Sequence, residues 1–187
     1  LGLVAPLGLI KDGWNGFNVV HFSAARMGGL MLGWASKGGV RAIAKAAPKL
    51  LFLMGADDVP ADLFTDSFKV YVGHHGDAGA HGADVILPGA AYAEKAGTYV
   101  NTEGRVQRGA KAVFAPGDAR EDWTILRALS DVLGKTLPFD DFTQLRAAMV
   151  AAVPALGDEG LADCGWSAPK LPPSRSGKIQ YPIKYFY

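Results

Sequence analysis

Between Tyr71 and Gln107 the chain gathers most of the residue types able to do chemistry, in the stretch YVGHHGDAGAHGADVILPGAAYAEKAGTYVNTEGRVQ. His74, His75, Asp77, His81 and Asp84 are of the ligand types that hold zinc or iron elsewhere. Their spacing fits a metal poorly, because adjacent histidines in extended chain point to opposite faces. There is no His-x-His pair and no helical His-x3-His pair. The pattern is read instead as a glycine-shaped turn whose imidazoles hydrogen-bond to neighbouring backbone. Tyr92, Glu94 and Lys95 follow a proline and precede Gly97. A Glu–Lys pair there either orients a substrate group or locks a loop, and the lock is the expectation. Asn101, Glu103, Arg105 and Gln107 alternate in sequence. On one strand face they would line a groove for a phosphate or a pterin, with Arg105 supplying a planar fork of donors. The competing reading is a polar network that closes a lobe.

The remaining motifs are negative. No GxxxxGK[ST] loop is present, and no GxGxxG opens a helix after a strand. Ser167, Ser174 and Ser176 lack a paired base. Cys164 is the only cysteine, so this chain cannot by itself build a disulfide, a cysteine zinc site or an iron–sulfur cluster. No catalytic, cofactor-binding or metal-ligating residue is therefore assigned. A formal net charge of +1 gives no nucleic-acid footprint. The basic residues Lys170, Arg175, Lys178 and Lys184 read as a solvated tail. A lone thiol suits a reducing compartment. No apolar run approaches the ~20 residues of a membrane span, so membrane association is expected only through partners. The opening LGLVAPLGLI lacks the basic start of a signal peptide. The chain begins on Leu1 and ends on KYFY, and we expect an internal piece of a longer polypeptide.

The elements that must position these residues follow from periodicity. Trp14, Phe17, Val20, His21 and Ala24 share a helical face, with Asp12 as cap and Gly28-Gly29 as stop. VRAIAKAA is a short helix ended by Pro48. LLFLM is a buried, parallel strand followed by Gly55-Ala56-Asp57, the end of a strand where open α/β sheets bind ligands. FKVYVG is a second strand and ADVILP a third, with Pro88 at its end or at a sheet edge. TYVNTEGRVQ is a strand, a turn at Thr102-Glu103-Gly104 and another strand. Asp118 and Glu121 have capping-box spacing before a helix carrying Trp123, Leu126, Leu129, Ser130 and Leu133, stopped by Gly134. A last helix runs from Asp141 through Val153, with Phe142, Leu145 and Met149 on one face. This order predicts an α/β fold, a mostly parallel sheet flanked by helices. The expected division is a lobe over 1–154, then an irregular linker and closing segment over 155–187, in which YPIKYFY forms a docking strand.

Three blocks carry a family resemblance: LFLMGAD, GHHGDAGAHGADVILPGAAYAEKAGTYVNTEGRVQ, and AREDWTILRALSDVLG. In this order, over roughly Trp14 to Asp140, they resemble the C-terminal, molybdopterin-oxidoreductase-like region of the large iron–sulfur subunit of respiratory complex I (NADH:quinone oxidoreductase). GHHGD and AREDW favour that subunit. ADVILP, EK, GTYVN and EGRVQ are shared with molybdopterin oxidoreductases such as formate dehydrogenases and nitrate reductases. The resemblance implies a structural lobe without clusters, in an oxidoreductase that pumps protons while passing electrons from NADH to quinone. It implies 2Fe-2S and 4Fe-4S clusters in the N-terminal part of the parent subunit and none in this segment. Partners would be other peripheral-arm subunits, including the NADH-binding flavoprotein, without nucleic acid and without direct membrane insertion. The implied place is the cytoplasmic side of a bacterial inner membrane, or the matrix side in mitochondria. The alternative is a cofactor-binding lobe of a catalytic molybdopterin-dinucleotide enzyme.

Overall fold

The computed structural model describes residues 3–17, 19–21 and 23–159. Its centre is a three-stranded parallel sheet of β3 (Leu50–Met54), β4 (Phe68–Gly73) and β5 (Val85–Pro88), in that order. Val70 stands between Phe52 and Val85, and Tyr71 between Leu53 and Ile86. The predicted α/β class and the parallel sheet flanked by helices are therefore present. β4 is buried on both faces, since Val70, Tyr71 and Val72 are all enclosed. A central parallel strand is covered on both sides by its neighbouring layers. β3, read as buried, is an outer strand of this sheet, and its Leu50 is exposed.

The β3–β4 crossover carries a 3₁₀ turn at Ala61–Phe64, and the β4–β5 crossover carries α3 (Ala78–His81). Leu53, Tyr71 and Ala80 form one core, with Leu51, Ala56, Val59 and Ala83 packed around it. Asp84 sets the start of β5: its carboxylate accepts from the Lys69 N–H at 2.7 Å, and its own N–H donates to the Lys69 carbonyl at 2.9 Å.

A second layer is the antiparallel hairpin of β6 (Gly97–Val100) and β7 (Val106–Gly109). Its core joins Val100 and Val106 to Leu156, with Met27, Met31, Met149 and Val153 packed against them. Leu156 comes from a 3₁₀ turn at Pro154–Gly157, so packing continues to the end of the described chain. The predicted closing strand YPIKYFY lies outside the described residues, as does Cys164.

The N-terminal helix differs from expectation. β1 (Ile10–Lys11) and β2 (Trp14–Asn15) pair antiparallel, and the Gly16 N–H donates to the Leu9 carbonyl at 2.7 Å. The extended strand backbone at Trp14–Asn15 excludes a helix beginning there. Helix α1 begins only at Arg26 and runs to Met31, straight through Gly28-Gly29. Its stop is Gly33, at φ +80°. The Gly33 N–H donates to the Leu30 carbonyl and the Trp34 N–H to the Gly29 carbonyl, the paired bonds of a Schellman end. Helix α2 (Gly39–Lys45) lies where VRAIAKAA predicted it.

Helix α4 (Asp122–Val132) also starts later than Asp118. Residue Arg120 is instead drawn alongside β5: its N–H donates to the Pro88 carbonyl at 3.0 Å, and its carbonyl accepts from Ala90 N–H at 2.7 Å. Asp118 is left exposed and caps nothing, and Glu121 sits at the cap position without a capping side-chain bond. Gly134 ends the helix region as read. Helix α5 (Phe142–Ala152) matches its prediction, with the Asp141 carboxylate accepting from the Gln144 N–H at 2.8 Å.

Candidate functional site

The hairpin turn is built by one side chain. Asn101 Oδ1 accepts from the Glu103 N–H at 3.0 Å and from the Arg105 N–H at 2.8 Å. Gly104, at φ +88°, completes the reversal. The Asn101 amide oxygen and the backbone N–H groups of Glu103 and Arg105 therefore build a turn, and these residues do not continue the strand that carries Gln107. The four alternating polar residues of the sequence do not form the expected row, because the chain bends between Val100 and Val106.

A groove of about 220 Å³ does open beside the hairpin, its lining more apolar than polar because Ala24, Met27 and Val100 contribute to it. Tyr99, Asn101, Thr102 and Gln107 line it from the hairpin, and His21 and Ser23 from the segment before α1. Arg105 and Glu103 are not among its lining residues. Sequence reasoning missed His21 in this role, having placed it on a helix face. Tyr99 was also missed, although strand period two sets it with Asn101.

The Glu94–Lys95 pair is a lock, as expected, but each partner holds a different element. The Glu94 carboxylate accepts from the Ala91 N–H at 2.8 Å. The Lys95 ammonium bonds Asp122 in the first turn of α4. Together with the Arg120 bridge, this ties the segment after β5 to α4. Glu121 accepts from the Trp123 indole N–H at 3.0 Å and pairs with Lys111 at 3.8 Å.

His74 and His75 are exposed and meet edge to face, with ring centroids 4.4 Å apart. The predicted imidazole-to-backbone bonds are not made among the described residues. Solvated rings in an open turn have water for that purpose. No three His, Cys, Asp or Glu residues gather as a metal-ligand set among the described residues.

Asp57, just beyond the C-terminal end of β3, is spent internally. One oxygen accepts from the Tyr71 hydroxyl at 3.0 Å, the other from the Gly79 N–H at 3.0 Å. Burial first, then the bond to Asp57, pushes the Tyr71 phenol up to about 12. The carboxylate thus fixes α3 against the sheet.

A molybdopterin dinucleotide carries a pyrophosphate, which calls for cations or clustered backbone N–H groups. The groove has no Lys or Arg among its lining residues, and Asn101 Oδ1 already serves the turn. These residues by themselves do not fit that group.

The chain is similar to known proteins over most of its length. It is 53% identical over 148 residues to the mitochondrial NADH-ubiquinone oxidoreductase 78 kDa subunit of Neurospora crassa, covering 79% of this chain and 20% of that protein. It is 49% identical over 146 residues to the NADH-ubiquinone oxidoreductase 75 kDa subunit of Reclinomonas americana, covering 76% and 21%. It is 51% identical over 144 residues to the mitochondrial 78 kDa subunit of Candida albicans, covering 76% and 19%. The chain thus spans about one fifth of the length of these relatives. The family model of molybdopterin oxidoreductase matches residues 1–132. With its parallel α/β sheet and a match across most of its length, the chain belongs to the molybdopterin oxidoreductase family.

Proposed function

We propose that this chain is a structural α/β lobe of the large iron–sulfur subunit of NADH:quinone oxidoreductase. The observation that carries the reading is the identity of about one half to three relatives named as subunits of that enzyme. Those names support it over the formate dehydrogenase or nitrate reductase alternative. The geometry supports the same role: Lys95 and Asp57 each hold one element against another, and Glu94 and Asn101 each fix a turn.

On this reading the lobe contributes shape and docking to the peripheral arm. Electrons pass through flavin and 2Fe-2S and 4Fe-4S clusters held elsewhere in the complex, and the neighbours include the NADH-binding flavoprotein subunit. No helix among the described residues is long and apolar enough to cross a membrane. The lobe would sit on the cytoplasmic side of a bacterial inner membrane, or on the matrix side in mitochondria.

The test is Arg105→Ala in a complex containing this segment. NADH oxidation per assembled complex, with assembly followed by native gel, should stay at the parent value. Loss of most turnover from fully assembled complex would overturn the structural reading and put Arg105 close to the electron path.

A further inference from the structure

We propose that Met27 and Met149 form a reversible oxidation site, at which a hydroperoxide converts each thioether to a sulfoxide and loosens the β6–β7 hairpin from α1 and α5. The chain has four methionines. Met27, Met31 and Met149 pack against the small core of Val100, Val106 and Leu156. The fourth, Met54, lies in β3 of the parallel sheet. Unbranched thioethers suit such a seam because they fill irregular gaps between helix and strand. The approach there is close: a Cβ at Gly28, next to Met27, would stand 3.5 Å from Val100 Cγ2.

Two of these side chains belong to the core and to an opening at once. Met27 is half-buried and lines the groove of about 220 Å³, whose walls include the exposed Ser23, Ala24 and Gln107. Met149 is half-buried and lines an apolar cleft of about 350 Å³ beside Leu32, which is 44% exposed. Water takes up ~30 Å³ per molecule, so either opening admits hydrogen peroxide. Met31 lines neither. A thioether reacts without losing a proton. Its sulfur lone pair attacks one peroxide oxygen, the O–O bond breaks, and the sulfur keeps that oxygen, oxidised by two electrons. The other oxygen takes both protons and leaves as water. The new S=O group is a strong acceptor, and the side chains of Val100, Val106 and Leu156 offer it no donor. Keeping it against them is unfavourable, so the helix that carries it loses its hold on the hairpin. Reduction by a dithiol returns the thioether, with the oxygen leaving as water while the thiols become a disulfide.

The experiment treats the full 187-residue chain with hydrogen peroxide and follows each methionine by peptide mass spectrometry. Met27 and Met149 should oxidise faster than Met31 and Met54, by about tenfold. Equal rates at all four would overturn the proposal, because oxidation would then run through the unfolded chain. In the oxidised chain, hydrogen exchange at the β6 and β7 amides should quicken about tenfold, equivalent to ~1.4 kcal/mol, while exchange at β4 stays unchanged. Methionine sulfoxide reductases with dithiothreitol should restore the slow exchange. Met27→Leu combined with Met149→Leu nearly conserves volume and removes both sulfurs. This double variant should exchange like the untreated parent, before and after peroxide. Peroxide-induced loosening that persists in M27L/M149L would overturn the proposal. So would full oxidation of Met27 and Met149 in the parent with β6 and β7 exchange unchanged, or fast exchange that survives complete reduction.

Discussion

Tyr71 is 1% exposed, and its hydroxyl donates to Asp57 at 3.0 Å. Its pKa is raised to about 12, above the ~10 of an unfolded tyrosine. The folded chain therefore keeps a proton that the unfolded chain loses as pH passes ~10. Stability from this group is fully present below that value and falls between pH ~10 and ~12, by up to about 3 kcal/mol. Urea midpoints of the parent chain and Tyr71→Phe, measured across that range, should converge as pH rises. A gap that stays constant would mean the phenol is not held neutral. Gly104 is a separate case at the same scale. Its φ of +88° lies in the left-handed region, and no atom lies within 4 Å of the position a Cβ would take. Gly104→Ala should then cost only backbone strain, about 1–2 kcal/mol, and Gly104→Asn less. Equal denaturation midpoints for all three chains would mean the turn tolerates any residue.

At the level of elements, the two acidic helix starts separate a spacing from a cap. Asp141 accepts the Gln144 N–H at 2.8 Å, and Gln144 in turn accepts the Asp140 N–H at 2.8 Å. Asp118 has comparable spacing to Glu121 but lies in the stretch committed to β5. Asp141→Ala should therefore destabilise by about 1 kcal/mol. Asp118→Ala should stay within ~0.5 kcal/mol of the parent. Thermal melts of the two variants decide the matter, and a larger loss in D118A would reverse the assignment. The sequence carried both signals equally. What separates them is the backbone pairing of Arg120 with Pro88 and Ala90, a contact between residues about thirty positions apart in the chain.

On the scale of the whole molecule, two small cores replace one large one. Leu53, Tyr71 and Ala80 close the parallel sheet, while Val100, Val106 and Leu156 close the hairpin against α1 and α5. Leu156 is 1% exposed and sits at the far end of the described chain. Leu156→Ala should cost about 2–5 kcal/mol through lost burial and the cavity left behind. Hydrogen exchange should show the loss first in the amides of β6 and β7, with those of β4 protected longer. Simultaneous loss in both sets would mean the cores unfold as one unit.

The sequence by itself determined the parallel strands, the hairpin, the positions of α2 and α5, and the family. Each of these rests on local information: short β-rich runs punctuated by glycine and proline, an aspartate cap, and the blocks around GHHGD, NTEGRVQ and AREDW. Only the tertiary structure decided where α1 and α4 begin, which strand is central, and what the polar residues do. A helix start competes with any pairing that claims the same backbone: β1 pairs with the strand backbone of Trp14–Asn15, and Ala90 takes the Arg120 carbonyl that an earlier α4 would use. Asn101, Asp57 and Lys95 were conspicuous as chemistry because their side chains are strong acceptors or donors. Folding brings them within bonding distance of Arg105, Tyr71 and Asp122, and those bonds spend their polar groups on holding the lobe together.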